Sequence, residues 1–160
     1  MVAVGDPLPD VTVHRGDAWP AIPVKLRELV GGRKVVIVPG YIAAEKELRS
    51  KGIEKVFVFC VNDAAVMGAW AKDQGIEGTI VEFIADPHGE LTKALDVAMT
   101  HPGPMSLFGV QRSKRVALVY ENDVAKIVEV SEGPDDPAGD ADPTGPITAK
   151  TLVANILAQL

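Results

Sequence analysis

Two rhythms of apolar positions alternate along the chain. Lys34-Val35-Val36-Ile37-Val38 is an unbroken β-branched run that stops at Pro39-Gly40, the pattern of a strand buried on both faces. From 41 to 51 the period lengthens: Tyr41, Ala44 and Leu48 recur at helical spacing, Glu45/Arg49 and Glu47/Lys51 place acid before base at i,i+4, and Gly52 supplies a stop. The unit then repeats. Residues 55–61 form a second apolar run, and Asn62-Asp63 offers capping oxygens to a helix predicted over 64–74. Residues 81–85 predict another strand, followed by the turn Asp86-Pro87-His88-Gly89 and a short helix over 90–95.

The two ends read differently. Near the start, Val11-Thr12-Val13 and the stretch through Pro20 suggest short strands around a turn, with one or two helical turns at 24–30. Toward the end, residues 115–120 and 124–130 flank Glu121-Asn122-Asp123 as an antiparallel hairpin. Residues 131–146, rich in Asp, Pro and Gly, read as a solvated loop. Leu152, Val153, Ile156, Leu157 and Leu160 make one stripe of a closing helix that starts near Thr148. Strand-helix alternation implies a parallel core, and the hairpin adds antiparallel strands. The expected class is α/β, a thioredoxin-like fold with a mixed sheet and helices on both faces. A flavodoxin-like sheet would keep alternating strand and helix to the end.

Composition narrows the function classes. At 160 residues and 47% hydrophobic the chain suits a single domain over 1–160, and a net charge of -6 speaks against nucleic acid. No apolar stretch approaches the ~18 residues of a membrane span, so the expectation is a soluble, cytoplasmic protein without a membrane partner. Cys60 is the only cysteine, which excludes an internal disulfide. His14, His88 and His101 lie far apart along the chain, with no second His or Cys at ligand spacing; neither a metal nor a cofactor is expected. Phosphate-binding glycine loops are absent, and Ser106 does not sit in a nucleophile elbow.

Four stretches together resemble the peroxiredoxin-5 (type II) family. They are Val4-Gly5-Asp6-Pro7-Leu8-Pro9, the segment Val61-Asn62-Asp63 through Trp70, Ile84-Ala85-Asp86-Pro87-His88-Gly89 through Leu95, and Phe108-Gly109-Val110-Gln111-Arg112-Ser113-Lys114-Arg115. The resemblance implies a thiol peroxidase for hydrogen peroxide and alkyl hydroperoxides. Its partners would be the peroxide, a thioredoxin- or glutaredoxin-type reductant and a second copy in a homodimer. In such enzymes a thiolate at a helix start attacks the peroxide O–O bond and becomes a sulfenic acid, which a second thiol reduces. A hydroxyl orients the peroxide, and a fixed cation stabilises the leaving oxygen.

The family supplies these groups from a Pro-x-x-x-Thr/Ser-x-x-Cys segment and from an Arg on a distant strand. By its place in the fourth stretch, Arg115 corresponds to that peroxide-positioning cation. The cysteine segment is missing: Val38-Pro39-Gly40 runs directly to Tyr41, and a single Pro-Gly stands where two are expected. Pro39 is either the motif's first proline or part of the second Pro-Gly. The optional resolving cysteine is replaced near Lys150. Cys60 ends an apolar strand and reads as a core residue, as do Met67 and Trp70; His88 reads as a turn residue. Arg115 carries a second reading as a sheet ion pair. Two functions stand: a peroxidase whose catalytic segment has been lost, or a redox-inactive peroxiredoxin-like module for binding or structure.

Overall fold

The β-branched runs form the middle of one mixed sheet. A computed structural model describes residues 1–15, 20–38, 44–109, 111–134 and 145–160. Its strands are β1 (Thr12–Arg15), β2 (Ile22–Lys25), β3 (Val35–Val38), β4 (Lys55–Cys60), β5 (Val81–Ala85), β6 (Arg115–Glu121) and β7 (Val124–Ser131). Among the described residues they make a seven-stranded sheet in the order β2-β1-β5-β4-β3-β6-β7. β3, β4 and β5 are parallel, while β6 runs antiparallel to both β3 and β7. The predicted sheet-sharing of these strands and the hairpin are therefore borne out.

Helices cover both faces because residues along each strand point alternately to opposite sides. Val35, Ile37, Phe57, Phe59, Val116 and Leu118 join one cluster with Leu26, Leu29 and Leu91. These last belong to α1 (Leu26–Val30) and α4 (Glu90–Ala94). On the other face Val36, Val38, Val56, Val58, Ala117 and Val119 meet Leu48, Met67 and Ile156. Those come from α2 (Glu45–Ser50), α3 (Ala64–Asp73) and a terminal helix over Val153–Gln159. Each such side chain taken fully out of water contributes about 1.5–3 kcal/mol, so the two clusters dominate stability.

Local chemistry sets the boundaries. The Asp63 carboxylate accepts from the Val66 amide at 2.9 Å and caps α3, as its position predicts. In α2 the expected Glu45–Arg49 pair forms at 2.7 Å. The described part of this helix begins at Glu45, preceded by Ala44 at φ 89, a left-handed conformation that glycine favours. Pro39 and the expected helix start at Tyr41 lie outside the described residues.

Two expectations need correction. Residues 102–108, given no element by the sequence reading, form the helix α5 (Pro102–Phe108), between a capping His101 and Gly109 at φ 67. The closing helix is broken in two, α6 (Pro146–Ala149) and α7 (Val153–Gln159). Ser131 Oγ and Thr151 Oγ1, both buried, are 2.8 Å apart and fasten the chain to β7 just where a continuous helix would have passed. Leu152, expected on the buried stripe, is consequently 39% exposed.

Candidate functional site

Parallel strands point the same ends of their backbones one way, and sites in α/β proteins gather beyond those carboxyl ends. Here the edge is marked by Val38, Cys60 and Ala85. Cys60 lies two residues past Val58, which pairs with Val38. Arg115 opens β6 three residues before Leu118, the partner of Ile37, and so also stands two residues past the level of Val38. Arg115 shares the side of Ala117 and Val119, and Cys60 shares that of Val56 and Val58. Both therefore face the layer of α2 and α3. With β3 between their strands, their backbones stand roughly 10 Å apart.

Arg115 is half-buried and pairs in register with Ser131. The nearby Glu132 is taken by Lys114 at 2.6 Å, and among the described residues no ion pair or hydrogen bond engages the Arg115 side chain. Its reading as a sheet ion pair has no support in this arrangement. Arg112 behaves differently. Its Nη1 donates to the Val61 carbonyl at 3.2 Å and stands 3.9 Å from Cys60 Sγ, tying the approach to β6 onto the end of β4.

Cys60 is half-buried, not a fully enclosed core residue, and packs against the cluster on the α2–α3 face. It ends a strand. Thiolate nucleophiles draw on a helix N-terminus or an adjacent cation; Cys60 has no helix start beneath it, and among the described residues the Arg112 guanidinium is the cation beside its sulfur. Lys150 is exposed at the end of α6, so no thiol stands there either. Asp86, fully buried beside the Cys60 carbonyl, accepts from the Leu91 amide (3.1 Å), the Thr92 amide (2.9 Å) and the Thr92 hydroxyl (2.8 Å). It fixes the turn after β5.

Met67 is buried as expected, and Trp70 packs edge-on against Phe83 with ring centres 4.8 Å apart. His88 is an exposed turn residue, yet its ring meets that of His14, which the sequence placed far away. A cleft of about 530 Å³ lies along α3 and β5, with Lys72 and Glu82 in its wall; neither Cys60 nor Arg115 lines it.

The redoxin family model matches residues 3–144. The chain belongs to the redoxin family, as a peroxiredoxin of the peroxiredoxin-5 type. It is 41% identical over 145 residues to peroxisomal membrane associated protein 20 of Schizosaccharomyces pombe, covering 81% of this chain and 86% of that protein. It is 38% identical over 150 residues to the chloroplastic peroxiredoxin-2E-2 of Oryza sativa subsp. japonica, covering 82% of this chain and 66% of the relative. Among solved structures, reduced Prx3 of Vibrio vulnificus in complex with H2O2 superposes with a TM-score of 0.78 at 30% identity, over 99% of this chain and 95% of the other. Peroxiredoxin 5 of Alvinella pompejana gives 0.68 at 26%, over 86% and 94%. The thioredoxin-like fold and the thiol-peroxidase family are thus those expected from the sequence. Cys60 is the single cysteine of this peroxiredoxin.

Proposed function

We propose that this peroxiredoxin keeps the fold and the peroxide-positioning cation of its family while lacking the nucleophile. On this reading it is a redoxin domain that binds or supports without completing a peroxidase cycle. The family reaction needs a thiolate in line with the O–O bond. The thiolate sulfur takes the proximal oxygen, the distal oxygen leaves as alkoxide or hydroxide and is protonated, and the sulfenic acid is then reduced by a thioredoxin- or glutaredoxin-type dithiol with release of water.

The observation that carries this reading is the placement of the only thiol. Cys60 closes β4 instead of opening a helix, and lies two strands from Arg115. Arg115 would hold the peroxide oxygen, and Pro39 would be a remnant of the motif that once carried the thiol. The proposed compartment is the cytoplasm, where thioredoxin and glutathione systems operate; no helix among the described residues is long and apolar enough to cross a membrane.

A coupled assay with hydrogen peroxide or an alkyl hydroperoxide, NADPH and a thioredoxin or glutaredoxin system tests the proposal. Turnover no faster than the protein-free control is expected. Turnover that disappears in Cys60→Ser would overturn it and make Cys60 the nucleophile. The family's thiol-peroxidase activity, the first function expected from the sequence and supported by the family match and its relatives, requires the missing segment to be restored; Arg115, without an ion pair or hydrogen bond among the described residues, is available to it.

A further inference from the structure

His14 and His88 are separated by 74 positions in the chain, but the fold brings their rings to 6.1 Å between centres at an interplanar angle of 88°. Each is mounted on fixed backbone. His14 sits in β1, paired with Pro23 on one side and with Ala85 on the other. His88 sits in the turn after β5, whose Asp86 is held by three hydrogen bonds, and its carbonyl accepts from Lys93 Nζ at 3.2 Å. His88 is exposed and His14 half-buried, so the pair opens to water.

We infer that His14 and His88 form a two-imidazole site for a divalent transition-metal ion, with Cu2+ the strongest ligand partner. An ion bound to two ring nitrogens at about 2.0–2.1 Å leaves the ring centres roughly 4.5–6.5 Å apart, a range that includes the separation of this pair. Because each nitrogen lone pair lies in its own ring plane, the ring that offers its face in this edge-to-face contact turns about its side-chain torsions to aim a nitrogen at the shared ion. Imidazole suits Cu, Ni and Zn, and Cu2+ heads the affinity order for such nitrogen donors. Among the described residues no cluster of three or more His, Cys, Asp or Glu side chains could hold a metal, so water fills the remaining positions and an exchangeable ion is expected. His14 stands level with Ala85 and Ala85 with Cys60, which puts the ion at the same end of the sheet as the candidate site.

The third histidine is a built-in control. His101 caps α5, its Nδ1 accepting from the Gly103 amide at 3.2 Å. Cu2+ is titrated into the Cys60→Ser protein, which removes thiol oxidation, and followed by calorimetry and electron paramagnetic resonance; Zn2+ is titrated into the wild type in parallel. One ion per chain is expected, with two-nitrogen hyperfine splitting on copper and at least tenfold weaker binding in both His14→Ala and His88→Ala. His101→Ala should leave the affinity unchanged. Since His88 is exposed, His88→Ala keeps the test valid even where His14→Ala disturbs β1. Undiminished binding in His88→Ala, equal loss in His101→Ala, or no saturable binding would overturn the inference.

Discussion

Tyr120 is the largest fully buried side chain among the described residues, and its hydroxyl finds no hydrogen-bond partner there. Burial first, and the nearby Asp6 charge second, push its pKa up to about 12 from 10.0. The folded state therefore holds the phenol's proton more tightly than the unfolded chain does. The associated stability is fully present below pH 10 and is lost as pH rises toward about 12. Tyr120→Phe should raise stability at pH 7 by about 1 kcal/mol, since an unmatched buried hydroxyl goes without leaving a stranded partner. In urea unfolding at pH 7, 10 and 11 its advantage should widen with pH; a constant or shrinking gap would contradict the assignment. Asp86 is the opposite case. Asp86→Ala strands two amides and a hydroxyl, and a loss of about 3 kcal/mol is expected in the same experiment.

At the scale of elements, the β6–β7 hairpin turns through Asn122 at φ 52 and Asp123 at φ 60, a two-residue turn with both residues left-handed. Asparagine tolerates this, but glycine suits the second position better, and Asp123 also buries an unpartnered carboxylate oxygen. Asp123→Gly should stabilise the protein by roughly 0.5–1 kcal/mol, read as a higher urea midpoint with an unchanged slope. That turn was legible because two β-branched runs flank it closely. The strands at 35–38, 55–60 and 81–85 were legible for the same reason, being unbroken apolar runs. Helix α5 was not, because Pro102, Gly103 and Pro104 mask any apolar period; only Pro at the first position and Gly109 after the last signalled it. The break between α6 and α7 comes from Ser131 and Thr151 meeting across 20 positions, a tertiary bond that no local pattern encodes. The contact of His14 with His88 is hidden likewise, since it depends on β1 pairing beside β5. Arg115 was singled out by its motif alone, whereas the side of the sheet it faces required the register.

For the molecule as a whole, the question is whether the sheet is ready to receive the segment it lacks. β3 is paired on both sides, with β4 through Val38 and with β6 through Ile37, and its residues are buried. Arg115 faces the α2 layer without an ion pair among the described residues. Completing the Pro-x-x-x-Thr/Ser-x-x-Cys segment from Pro39, with a second Pro-Gly ahead of Tyr41, would restore a cysteine between β3 and α2, the helix layer that Arg115 faces. Thiol-dependent peroxidase turnover should then appear. Arg115→Ala in the restored protein should reduce kcat/KM for hydrogen peroxide by about 10²–10³, the usual cost of losing one preorganised group at a developing negative charge. The rate of alkylation of the new cysteine separates two causes. If alkylation stays fast while peroxide reduction falls, Arg115 acts on the leaving oxygen; if both fall together, it acts by lowering the thiol pKa. Equal peroxide turnover with and without Arg115, from a restored protein whose cysteine is demonstrably reactive, would remove Arg115 from the site.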